Sequence, residues 1–280
     1  MTEKEALNLI EAIETVDLKK DDAYESVLKI LHERIKGFKP ITFKLNYHDD
    51  LYYVRARILG EPENLENKVS GHSYNPFLDK ISYGRVNKNN QQIFYLGRTR
   101  ITSLAEVNII ENKKEKMRVG YALSRWQPIK KMKIGAILEP DTMNELEADE
   151  VQGLLKFLNE QFELIKKDET KRGQLELYMY FAKKFRERVV KGMEYKHKIT
   201  SALSNFILDQ NSELQGLMYQ SVKWSNSYNL AVKKSAVDEY NFKPTHFIKM
   251  IFERRNVDEL KELDFKYTTS FDENENIINW

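Results

Sequence analysis

Tyr83-Gly84-Arg85-Val86-Asn87, followed by Ile93-Phe94-Tyr95-Leu96 and then by Ser103-Leu104-Ala105-Glu106, is the stretch around which the rest of the chain is ordered. Arg85, Tyr95 and Glu106 succeed one another at intervals of ten and eleven residues. The tyrosine lies in a short apolar run bounded by polar residues, which reads as a strand, and the arginine follows a glycine in a turn-like segment.

Three chemistries are offered within this span. A small neighbour lets the backbone approach a ligand closely, and the guanidinium then brings a permanently charged, bidentate fork to a phosphate. A tyrosine ring stacks on a flat heterocycle. A lone glutamate stabilises the positive charge that develops on a ribose when its glycosidic bond breaks, or orients the group that attacks. Taken singly, Arg85 and Glu106 also fit a hairpin and a solvated surface charge. Taken together, the three suit a nicotinamide dinucleotide.

Outward from this centre, residues 2 to 36 read as helix. Thr2 and Glu5 stand in capping-box spacing, Leu7, Ile10 and Ile13 followed by Val27, Leu28, Leu31 and Ile35 form a stripe, and the charged residues 17–22 split the segment into a pair. Gly37 and Pro40 close it. From 41 to 59 the apolar period becomes two, with a turn at Asp49-Asp50, and Arg55 and Arg57 fall on one face of the second strand. Two arginines on a rigid element call for carboxylates or a ligand phosphate. Residues 60 to 80 are loop-like, and strands are expected at 107–110, 118–123 and 132–138, the last ended by Pro140.

Between 142 and 198 the pattern is a helical hairpin, with Val151, Leu154, Leu155, Leu158, Phe162 and Ile165 on one helix. Its aromatic and methionine residues read as core. A third helix over 199–209 precedes a strand at 216–222, whose hairpin partner is 229–232. Ser221 is polar where a core-facing strand residue would be apolar; its hydroxyl bonds either a ligand ribose or pyrophosphate or its own backbone. One more apolar run, 247–252, leads into a charged tail.

Composition narrows the classes. Charged residues make up 31% of 280 residues yet balance to +2 and are interspersed, which argues against nucleic-acid binding driven by bulk charge. With no cysteine, disulfides, thiolate catalysis and cysteine-ligated zinc are excluded, and the five histidines show no metal-ligand spacing, so no metal is expected. No apolar run approaches membrane-spanning length and the opening segment is not a basic apolar leader, giving a cytoplasmic expectation. Neither GxGxxG nor GxxxxGK[ST] occurs.

The order Val54-Arg55-Ala56-Arg57, Gly84-Arg85-Val86-Asn87, Phe94-Tyr95-Leu96, Ser103-Leu104-Ala105-Glu106-Val107, and later Gly216-Leu217-Met218-Tyr219-Gln220-Ser221-Val222 with Asn229-Leu230, resembles the RES-domain family over residues 41 to 240. Gly97 stands where alanine is usual in that family. The resemblance implies an α+β fold with an ADP-ribosyltransferase-like β-core, here carrying an N-terminal helical segment (1–40) on a catalytic domain (41–280) with a helical hairpin inserted at about 142–198. It implies an NAD-consuming toxin of a toxin–antitoxin pair, with Arg85, Tyr95 and Glu106 catalytic and Arg55, Arg57, Asn87 and Ser221 binding NAD. A cognate antitoxin is the implied partner. The acceptor of ADP-ribose stays open among water, phosphate and a protein, and a non-catalytic interaction module that kept the fold is the alternative.

Overall fold

A computed structural model of the chain describes residues 1–36, 38, 40–46, 51–59, 65–107, 117–139, 149–190, 192–239, 241–254 and 260–280. Gly37, the Asp49-Asp50 turn, residues 60–64 and 108–110, Pro140 and the start of the helical stretch, all given roles above, lie outside these residues.

The N-terminal pair forms as its spacing predicts, as α1 (Glu3–Glu14) and α2 (Ala23–Arg34). Thr2 and Glu5 close the capping box in both directions, so two of the first-turn N–H groups are satisfied. The buried stripe of α1 is Ala6, Leu9 and Ile13. Leu7, placed on the stripe by its hydrophobicity, is half exposed instead. The spacing of three and four that small Ala6 opens is the one that faces the neighbouring helices.

A mixed nine-stranded sheet forms the body of the protein. Its strands are β1 (Ile41–Leu45), β2 (Tyr53–Ile58), β3 (Ile93–Gly97), β4 (Met117–Pro128), β5 (Met132–Ile137), β6 (Gly216–Gln220), β7 (Tyr228–Lys233), β8 (Phe242–Arg254) and β9 (Leu260–Thr268). They lie in the order β1-β5-β6-β7-β3-β2-β4-β8-β9. Only β5 and β6 pair in parallel among the described strands. The short ribbon of β10 (Phe271–Asp272) and β11 (Ile277–Ile278) is separate. Pro244 enters β8 where the register against β4 shifts, at a bulge that spares the missing ladder donor.

Helices α4 (Asp149–Lys167), α5 (Arg172–Arg186) and α6 (His197–Gln210) cover the β5–β6 side, with α1 packed on α5 and α2 on α6. Tyr178, Phe181 and Phe185 are buried in the same apolar cluster as Leu9, Leu31, Phe94 and Leu217, so these aromatics are core, as read from their spacing. Two shorter helices, α3 (Arg100–Glu106) and α7 (Lys234–Asp238), complete an α+β protein with seven helices among the described residues. The strand expected from Val107 onward is corrected at its first residue, because Val107 is the C-terminal cap of α3. No helix among the described residues is long and apolar enough to cross a membrane.

Candidate active site

The centre of the sheet builds the site. β3 lies between β7 and β2, and Gly97 at its end pairs with Asn229 on one side and Val54 on the other. Asn229 pairs in turn with Tyr219 of β6. Tyr219, Asn229, Gly97 and Val54 therefore form one row across four strands, with their side-chain positions on one face. Helix α3 is pressed onto this row at Gly97. A methyl group there would lie 2.5 Å from Ser103 Oγ, and that hydroxyl donates to the Val54 carbonyl at 2.6 Å. Thr99 starts the helix by accepting the Thr102 N–H. About two turns later, at the last residue of α3, Glu106 is delivered to the row.

Glu106 is fixed by one oxygen. Its Oε1 accepts from Ser221 Oγ at 2.7 Å and from Asn229 Nδ2 at 2.8 Å. Both donors are buried, and Oε2 has no partner among the described residues. Ser221 Oγ also accepts from the Trp224 N–H at 3.1 Å, which locks the hydroxyl proton onto the carboxylate. Ser221 thus bonds its own loop, as one of the two expectations had it, and its proton goes to Glu106 and not to the cavity.

Tyr95 is tied to the turn that carries Arg85. Its hydroxyl accepts from the Val86 N–H at 2.9 Å and donates to Asn87 Oδ1 at 2.8 Å. The Asn87 amide donates to the carbonyls of Ser82 and Lys88, so Asn87 is fully engaged inside the protein. Gly84 admits this arrangement, since a Cβ there would meet Asn87 Oδ1 at 2.4 Å and the Tyr95 hydroxyl at 3.0 Å. The close approach that a glycine permits here serves the tyrosine. Burial pushes the Tyr95 phenol well above its ordinary range, so it stays protonated.

Arg85 reaches across to the end of α5. Nη1 donates to the Phe185 carbonyl at 2.7 Å and Nη2 to the Glu187 carbonyl at 2.9 Å. These are among the outward-facing carbonyls at a helix C-terminus, where a cation is favoured. The two bonds engage two of the five guanidinium donors.

Arg85, Tyr95 and Glu106 border one cavity of about 1020 Å³. Arg55 and Asn229 border it too, whereas Arg57, Asn87 and Ser221 do not. Arg55 donates to the Tyr95 carbonyl at 3.1 Å and its guanidinium lies 5.7 Å from the Phe94 ring; Arg57 donates to the Gly71 carbonyl. Backbone carbonyls thus meet these arginines, in place of the carboxylates or phosphate expected from the sequence. Burial, with the charge of Arg57 adding to it, pulls the Arg55 guanidinium below its ordinary range, the signature of a cation without a neutralising acid.

Several lining residues carried no role in the sequence reading. Arg188, Lys223, His197, Glu194 and Tyr219 all border the cavity. With Arg55 and Arg85 this makes four cationic side chains against two carboxylates, a lining that favours an anionic ligand. Burial and then the Arg85 charge pull the His197 imidazole down to about 4, against the opposing pull of Glu194, so it is neutral at pH 7. Among the described residues no three His, Asp or Glu side chains are grouped to hold a metal ion.

No protein-family model matches the chain, and comparison with curated proteins finds no significant relative.

Proposed function

We propose that this protein consumes NAD, breaking the bond between nicotinamide and ribose and passing ADP-ribose to an acceptor. On this reading the core from residue 41 is an ADP-ribosyltransferase-like catalytic domain of the RES type. The observation that carries it is that Arg85, Tyr95 and Glu106, with the spacing of that family, border one cavity with a cationic excess.

In the proposed complex the pyrophosphate lies toward the unused donors of Arg85, with Arg55 adding positive potential from the cavity wall. The nicotinamide ring lies against Tyr95, whose hydroxyl is engaged elsewhere and whose ring remains as the contact surface. Glu106 Oε2 faces the nicotinamide ribose. When the carbon–nitrogen bond breaks, its electron pair leaves with the nicotinamide nitrogen, and the positive charge passes to the ribose, where the carboxylate stabilises it. An acceptor O–H then adds to the anomeric carbon and releases its proton. Water, phosphate and a protein side chain are served by the same departure step. Ser221 and Asn229 act through Glu106, as positioning residues.

One observation favours a second reading, a non-catalytic interaction module: the Arg85 fork is bonded to the end of α5, as a structural cap would be. The two readings separate by calorimetric titration with NAD and chromatography of NAD incubated with the protein, with and without phosphate or a lysate. Binding together with nicotinamide release is expected. Absence of both would leave the interaction module.

A further inference from the structure

Tyr219 has a property that the proposed chemistry does not yet use. Its side chain is 4% exposed, it borders the cavity, and among the described residues its hydroxyl has no hydrogen-bond partner. Its ring packs on Phe185, with centroids 5.4 Å apart. A hydroxyl on the lining of a cavity that is not bonded to the protein is placed to bond a ligand there.

The register says which part of a ligand it meets. Tyr219 is the direct cross-strand partner of Asn229, and Asn229 holds Glu106. Two residues further along the chain, Ser221 donates to the same carboxylate oxygen. The phenol thus stands beside the Glu106 clamp, on the face of the sheet toward which that acid is delivered. Burial, reinforced by the charge of Glu106, keeps this phenol protonated, so toward a ligand it is a donor.

We infer that Tyr219 is a substrate-binding residue, donating a hydrogen bond from its hydroxyl to a hydroxyl oxygen of the pentose that Glu106 faces. The inference rests on the proposed NAD chemistry and names a contact within it. It also assigns the ligand class at this end of the cavity: a sugar with hydroxyl oxygens placed to accept from Tyr219 while Glu106 faces the same ring.

Tyr219→Phe keeps the ring on Phe185 and removes only the uncommitted hydroxyl, which makes stability and activity move apart. The expected result is an unchanged or raised melting temperature together with a loss of about tenfold in kcat/KM for NAD, the size of one hydrogen bond. An unchanged kcat/KM overturns the inference and leaves the NAD reading intact. A melting temperature lowered by several degrees overturns it as well, because the hydroxyl would then have a structural partner. If the unmodified protein neither binds nor cleaves NAD, the functional reading falls first, and the contact with it.

Discussion

Glu106 is held through one oxygen, an asymmetry that under the proposed function separates positioning from chemistry at the level of single atoms. His197, close by on the first turn of α6, shows the same cavity from its electrostatic side. Its Nδ1 is buried without a partner, and Arg85 and Glu194 are the charges that bear on it. Because its folded-state pKa of about 4 lies below the ordinary 6.5, the unfolded chain binds the proton more readily between those values. Stability is therefore present above pH 6.5 and is lost as the pH falls toward 4. The melting temperature should drop over that interval, and His197→Gln should flatten that part of the profile; an identical profile in the variant would remove His197 as the cause. At this scale the sequence was legible for the grouping of Arg85, Tyr95 and Glu106, which border one cavity as their short spacing suggests. Asn229 and Ser221 are 123 and 115 residues from Glu106, and no local pattern could name them as its donors.

Helix α3 depends on Gly97, where a side chain would collide with the helix that carries Glu106. Gly97→Ala is expected to destabilise the fold by about 1–3 kcal/mol through overpacking and to displace Glu106, so that nicotinamide release falls more than stability alone explains. A denaturant melt alongside an activity assay at a temperature where the variant is folded checks this. Full activity in the variant would mean that α3 can shift without moving its acid. The strongly periodic elements were readable: the capped N-terminal pair, the amphipathic hairpin and the alternating strands. Helix α3 was not, because seven residues give too short a run for a period to emerge. Strand β9 was absorbed into a charged tail, although Leu263, Phe265 and Tyr267 alternate with Glu262, Asp264 and Lys266. As an edge strand it leaves those apolar residues exposed, so its charges dominated the reading.

Over the whole molecule, the sheet order turns a linear list of motifs into a site. β7 arrives beside β3 and brings Asn229 to Gly97, while β6, next in line, brings Tyr219 and then Ser221. That order follows from long-range pairing, which propensity does not encode. The α+β class was legible because helical and strand periods occupy separate blocks of the chain. Across this scaffold the central proposition is that one cavity binds NAD and that Glu106 supplies the decisive charge within it. The most direct test measures nicotinamide release and NAD affinity side by side for the unmodified protein and Glu106→Gln. Release should fall by about 10²–10³-fold while affinity is retained, as expected for loss of a contact that acts on the transition state. Undiminished release in Glu106→Gln would contradict the proposition.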